Sequence, residues 1–497
     1  MGSTVSRLIA EYFSTGTLSD LPDRLFIGGA WRRATSNETM ETFDPGLGQP
    51  FAEFALASAA DVDDAVESAA KAQSGPWRRV TPAERGNILR RAAELLRQRA
   101  DRFAVVETLD SGKTLAEAQA DIRSSARLFD YYAGAADKIQ GDSIPLGPDY
   151  MCFTLHEPVG VTAQIIPWNY PTSTAVRGLA PALAAGCAAV VKPAETTPLT
   201  ALMLAELLKD AGLPDGVCNV VTGTGPEAGV ALVSHPKIDH VTFTGSVGTG
   251  IDVMRRAAAN VTSVTLELGG KSPLIALADC DLDAAVDGAL WAIFSNAGQV
   301  CSAGSRLVIE RPIHAAFLER LVAKTKALKV GHGLRSPDVG AINSLTQLAK
   351  IERFLGHASA RGFRIAAGGR RTTDPESGYG WFFEPTIIDD VPADDICVQE
   401  EIFGPVLSVQ IVDSPEEALH AANGTQYGLV AGIYTRDVSR ALHLAREIDA
   451  GQITINDYWA GGVEVPFGGN RRSGFGREKG LEGLSAYCRT KSITARI

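Results

Sequence analysis

Through the middle of the chain, short apolar runs alternate with longer stretches in which apolar residues recur every third or fourth position. GVTAQIIP (160–167), AAVVKP (188–193), VCNVVTG (217–223), HVTFTG (240–245) and VTLELGG (264–270) have the length and β-branched content of strands. Between them, TALMLAELLKDAG (200–212) has a helical period and closes on Gly212 and Pro214, residues that stop helices. Strands that are apolar on both faces must be covered on both faces. The pattern therefore predicts a parallel sheet between two layers of helices.

A second series follows residue 301. SRLVIE, PTIIDDV, LVAGIYT and QITIND read as strands, and HAAFLERLVAKTKAL, EEALHAAN and SRALHLAREIDAG as helices. This predicts a second α/β unit. Ahead of both lies a helical region, where Thr81, Pro82 and Glu84 supply an N-cap, a first-turn proline and a capping-box carboxylate. The segment 142–160 is extended and has no helical partner, and the C-terminal SAYCRTKSITARI shares that character. Both are strand material able to pair outside either core.

At 497 residues the chain exceeds what one core organises, and two or three domains are expected. Apolar residues at 45% and charged residues at 21% are ordinary globular usage. A net charge of -11, with basic pairs such as Arg32-Arg33 and Arg90-Arg91 dispersed, argues against a nucleic-acid partner. MGSTVSRLIAEYF lacks the apolar segment of a signal peptide, and no run of about 18 apolar residues occurs, so a cytoplasmic protein without membrane contact is expected. The 7 cysteines are odd in number, widely spaced and never arranged C-x-x-C. That suits a reducing compartment, and without zinc spacing no metal is expected.

Several stretches carry candidate chemistry. Ser111-Gly112-Lys113-Thr114 resembles the end of a phosphate loop, but that motif needs glycine at 107, where Glu107 stands. FTGSVGTG (243–250) follows a strand and opens a helix, so Gly245 and Ser246 are candidates to hold a pyrophosphate; Gly225, after VCNVV, has the same context. Each is equally at home in an ordinary turn. Lys192 and Glu195 follow an apolar strand, where an α/β sheet places its ligands, and suit ribose hydroxyls. Glu267 ends another strand beside two glycines; desolvation there raises a carboxyl toward the range of a general base. Within PWNYP (167–171), Asn169 can donate to an oxyanion, while Trp168 and Tyr170 fit core and site alike. Cys301 alone among the cysteines sits in a small-residue, glycine-flanked loop, GQVCSAG.

Taken in order, Asn169, Lys192, Glu195, Gly245-Ser246, Glu267, Cys301, EEIFGP (400–405) and PFGGNRRSGFGREKG (466–480) closely resemble the NAD(P)-dependent aldehyde dehydrogenase superfamily. The resemblance runs from about residue 25 to the end of the chain. It implies an α/β fold with a Rossmann-type cofactor domain (20–141 and 161–268), an α/β catalytic domain (269–476) and a small β oligomerisation element (142–160 and 477–497). A homodimer or homotetramer is the implied assembly. The implied reaction is oxidation of a small-molecule aldehyde: Cys301 attacks, Asn169 and the Cys301 N–H hold the oxyanion, NAD accepts hydride, and Glu267 activates the water that hydrolyses the thioester. Only roughly 3% of an unperturbed thiol is ionised at pH 7, so such a nucleophile needs a base or a positive field.

For the cofactor, the resemblance assigns Lys192 and Glu195 to the adenosine ribose, Gly225, Gly245 and Ser246 to the turns and pyrophosphate, and Glu401 with Phe403 to the nicotinamide end. Ile165 and Trp168 supply backbone and wall. NAD is expected over NADP, which remains possible, because Glu195 repels a 2′-phosphate. Tyr170, Tyr458, Trp459 and Phe467 are candidates to line the substrate tunnel, suggesting an apolar or aromatic aldehyde. Two departures stand out: Gly178 replaces a lysine that many members connect to the relay from the general base, and Arg177 replaces a bulky apolar residue. An Arg177 pointing into the tunnel would favour a semialdehyde with a remote carboxylate; the other possibility is a protein carboxylate as its partner. Glu478 matches a further member of the relay. Rival readings are acyl transfer to coenzyme A, which Glu267 argues against, a cysteine hydrolase without cofactor, and a non-catalytic binding protein.

Overall fold

A computed structural model describes residues 4–497. Two open sheets carry the fold. The first has eight strands, and its five central ones run parallel in the order Cys218–Val220, Ala188–Lys192, Val161–Ile165, His240–Thr244 and Ser263–Glu267. From Val161–Ile165 the chain builds outward first on one side and then, from His240, on the other. The carboxyl ends of these two neighbours thus form a switch point, where a crevice opens in a sheet of this kind. Leu25–Ile27 and Gly474–Phe475 flank the parallel strands antiparallel. These edge pairs are too short to leave a period in sequence.

The second sheet has seven strands, all parallel except the edge strand Arg364–Ala367. It includes Pro273–Ala276, which the expected pattern passed over because it follows LELGG after a few residues. The two sheets have largely separate cores: Val190, Val191 and Val241 are fully buried in one, Leu274, Leu307 and Leu407 in the other. The predicted capping box is present, with Thr81 Oγ1 accepting from Glu84 N and Glu84 Oε2 accepting from Thr81 N at 2.8 Å. The N-terminal region also holds the hairpin Thr39–Asp44 with Gln49–Ala55 beside its helices.

Tyr150–Pro158 and Cys488–Arg496 pair antiparallel over their whole length. Met151, Leu155 and Ile493 are exposed on this ribbon. Among the described residues no helix is long and apolar enough to cross a membrane.

Candidate active site

Cys301 is presented by a loop whose shape comes from backbone strain. Asn296, Ala297 and Gly298 all have positive φ, at 48°, 52° and 71°. For the two non-glycine residues this costs of order 1–3 kcal/mol each and persists only where surroundings enforce it. Here buried amides do so. Asn296 N donates to Glu117 Oε1 at 2.6 Å and Asn296 Nδ2 to Asn169 O at 3.1 Å, while Gln299 Nε2 donates to Ala341 O at 3.1 Å. A side chain at Gly298 would place its Cβ 2.0 Å from Gly404 O, so only glycine fits. Asn169 Nδ2 donates to Gln299 O at 2.8 Å, which ties the candidate oxyanion donor to the Cys301 loop.

Lys113 explains how Tyr170 is set. Far from a phosphate loop, it is fully buried with its ammonium 3.0 Å from Glu107 and 2.5 Å from Asp121. Its Nζ also lies 4.3 Å from the Tyr170 ring centroid, and Glu107 accepts from Thr172 N at the start of the helix Pro171–Ala185.

Three hollows lie around these residues, the second and third sharing lining residues. The first, about 620 Å³, is lined by Ile165, Lys192, Gly225, Val233 and Phe243. Glu195 does not line it; its carboxylate lies 3.7 Å from Lys192 Nζ and is half-exposed. The second, about 150 Å³, gathers Trp168, Asn169, Gly245, Ser246, Glu267 and Cys301, with Glu401 and Phe403 closing it. Ser246 caps the helix Val247–Ala258 by accepting from Thr249 N at 3.2 Å. Glu401 Oε1 accepts from Gly270 N at 3.0 Å, and the Phe403 ring meets Trp168 edge-on at 5.2 Å. The third, about 580 Å³, is walled by Tyr170, Tyr458, Trp459 and Phe467. Cys301, Tyr170 and Arg177 belong to both the second and the third.

Gln347 and Lys350 also line the second hollow and were not foreseen. They sit three residues apart on the helix Leu345–Ala360, a spacing every amphipathic helix has. Gln347 donates to Ile402 O and Phe403 O, and so positions the EIFGP turn.

Burial dominates the electrostatics. It pushes the Cys301 thiol up to about 12, with Arg177 pulling the other way. Glu267 is held well above the carboxyl range, first by burial and then by the neighbouring Glu478, while Arg177, Arg477 and Lys479 oppose. Both Glu267 oxygens lack a hydrogen-bond partner. A desolvated carboxyl of this kind holds a proton strongly and can take one from water or a thiol. Burial lowers Lys192 and raises Glu401. A separate cluster of His357, Asp395 and Cys397 is already satisfied internally: His357 Nε2 meets Asp395 at 2.9 Å and Cys397 N donates to Asp395 at 2.8 Å.

The sequence profile of the aldehyde dehydrogenase family matches residues 31–493. Among solved structures, a candidate aldehyde dehydrogenase from Burkholderia cenocepacia is 47% identical, over 95% of this chain and 99% of that one, with a TM-score of 0.93. The betaine aldehyde dehydrogenase of Staphylococcus aureus, in complex with NAD+, is 38% identical over 96% and 95%, with a TM-score of 0.94. A mutant aldehyde dehydrogenase from Bacillus cereus is 41% identical over 95% and 96%, with a TM-score of 0.93. Profile, solved structures and site geometry agree, and the chain belongs to the aldehyde dehydrogenase family.

Proposed function

We propose that the protein oxidises an aldehyde to its carboxylate with NAD, through a covalent intermediate on Cys301. The observation that carries this reading is that Cys301 lies where the hollow lined by Asn169, Glu267 and Glu401 meets the aromatic tunnel. A nucleophile reached by substrate from one side and by cofactor from the other needs that position.

The surroundings fit the dinucleotide. Val233 and Phe243 suit an adenine, and Lys192 offers a buried ammonium to the ribose. Ser246 heads a helix whose first N–H groups favour a pyrophosphate. Glu401 keeps an oxygen beyond its bond to Gly270 for the second ribose. When bound, the cofactor accepts the hydride that leaves the thiohemiacetal carbon. Glu195 beside Lys192 disfavours a 2′-phosphate, so NADP is the weaker alternative.

In the chain's own chemistry, the Cys301 thiolate attacks the aldehyde carbon, and the developing oxyanion is held by the Asn169 amide and the Cys301 N–H. Losing one such donor typically costs about 2.7 to 4 kcal/mol of barrier. Glu267 then takes a proton from the water that attacks the thioester, releasing the carboxylate and the thiol. Tyr170, Tyr458, Trp459 and Phe467 offer the hydrocarbon part of the substrate an apolar, aromatic wall. We assign cofactor binding to 20–141 and 161–268, catalysis to 269–476, and homodimer or homotetramer contacts to 142–160 and 477–497, whose exposed apolar ribbon supports that role. The test is NADH formation from an aldehyde and NAD without coenzyme A. Turnover only after adding coenzyme A would replace hydrolysis with acyl transfer.

A further inference from the structure

The tunnel is aromatic, yet its charges are strongly one-sided. Its charged lining consists of Arg123, Arg127, Arg177 and Lys479 against a single acid, Asp121. Asp121 is engaged by Lys113 at 2.5 Å. Arg127 is paired with Glu464, and Arg177 with Glu478. Among the described residues, that leaves Arg123 and Lys479 without a carboxylate in ion-pair range.

Lys479 is held in an unusual way. Its backbone has φ 60° and ψ 178°, a region that is essentially glycine's alone. A glycine would relax this position, whereas a lysine stores strain to set its side chain here. Its ammonium lies 5.4 Å from the centroid of the Phe467 ring, which also carries the Arg177 guanidinium at 4.7 Å. Two cations share one ring in a partly desolvated wall, and of the two only Arg177 has a carboxylate within ion-pair range. An anion arriving along the tunnel would complete the set.

We propose that Lys479, with Arg123, forms an anion subsite in the tunnel, and that the preferred substrate is an aldehyde with a carboxylate at its far end and an apolar segment between. This rests on the dehydrogenase reading above and narrows its substrate class. Arg177, the residue that first suggested a carboxylated substrate, is committed to Glu478.

The test compares straight-chain ω-oxo carboxylates of graded length with the alkanals of the same length, by NADH formation. For at least one length, kcat/KM should favour the carboxylate about tenfold or more at low ionic strength, and salt should narrow the gap. Lys479→Met should cut the ratio of kcat/KM for that carboxylate over the alkanal about tenfold, whereas loss of its pull on Glu267 falls on both series alike. Lys479→Arg should keep the preference. Lys479→Gly relieves the backbone and should behave like the Met variant, which separates charge from misfolding. No preference at any length, or equal effects of Lys479→Gly on both series, would overturn the subsite. Failure to oxidise any aldehyde would overturn the dehydrogenase reading beneath it.

Discussion

Arg177 and Glu478 form a buried ion pair, with Nη2 of the guanidinium 2.5 Å from Oε2 of the carboxylate, joining the helix that follows PWNYP to the loop before the C-terminal ribbon. The residue next to it clarifies the pairing. A Cβ at Gly178 would lie 2.1 Å from Gln164 Oε1, so the amide of Gln164 fills the space into which a lysine at 178 would grow. Gln164 is itself held by Thr162 at 3.2 Å and Tyr487 at 3.4 Å. The cation facing Glu478 is therefore Arg177.

Removing that cation has a predictable sign. Arg177 lowers the pKa of both Cys301 and Glu267, so Arg177→Met should raise both and move the acid limb of the kcat/KM profile to higher pH. Arg177→Lys should return the limb most of the way. Breaking a buried pair also costs roughly 3–5 kcal/mol, so a lower Tm should accompany the Met variant. A limb that stays put or moves to lower pH would show that Arg177 does not act on the reacting groups.

Cys301→Ala should abolish turnover while NAD binding and Tm hold. Survival of activity within about tenfold would remove Cys301 from the mechanism. In the free enzyme burial keeps Cys301 as the thiol at pH 7, with a pKa of about 12. Alkylation by iodoacetamide should therefore accelerate roughly tenfold per pH unit between 7 and 10, because the thiolate is the reactive form.

Glu267→Gln separates the two halves of the reaction. If Glu267 activates the hydrolytic water, the first turnover should still release about one NADH per site in a rapid burst. The steady state should then fall by about 10²–10⁴-fold. Equal loss of burst and steady state would assign Glu267 to activation of the thiol instead.

Cofactor preference should follow Glu195, whose carboxylate lies 3.7 Å from Lys192. A like charge facing a 2′-phosphate costs about 1 to 3 kcal/mol, or roughly tenfold to a hundredfold in affinity. Glu195→Gln should narrow the NAD-to-NADP ratio of kcat/KM by that amount, chiefly through the KM for NADP. An unchanged ratio would place the discrimination elsewhere in the first hollow.

Much of this was readable in advance for a local reason. A strand covered on both faces must be apolar throughout, so Val161–Ile165, Ala188–Lys192 and His240–Thr244 announced themselves within a few residues of their true ends. Polar groups interrupting such runs mark strand ends: Lys192 and Glu267 are the last residues of their strands, and Asn169 lies in the short connection after Val161–Ile165. The aromatic candidates Tyr170, Tyr458, Trp459 and Phe467 share one tunnel, although no period connects them.

By itself, then, the sequence determined which segments are strands and helices and which polar residues stand at their ends, because burial and capping act over neighbouring residues. Only the tertiary structure decided the rest. The left-handed turn at 296–298 depends on Glu117 and Asn169, more than a hundred residues away. Gln347 and Lys350 became site residues through the packing of one ordinary helix. Glu195 was set beside Lys192 rather than on the hollow's wall, Arg177 was given to Glu478, and Lys479 was left facing the tunnel. Each is a choice of partner across the fold, and a partner is fixed by which surfaces pack together and which charges they desolvate.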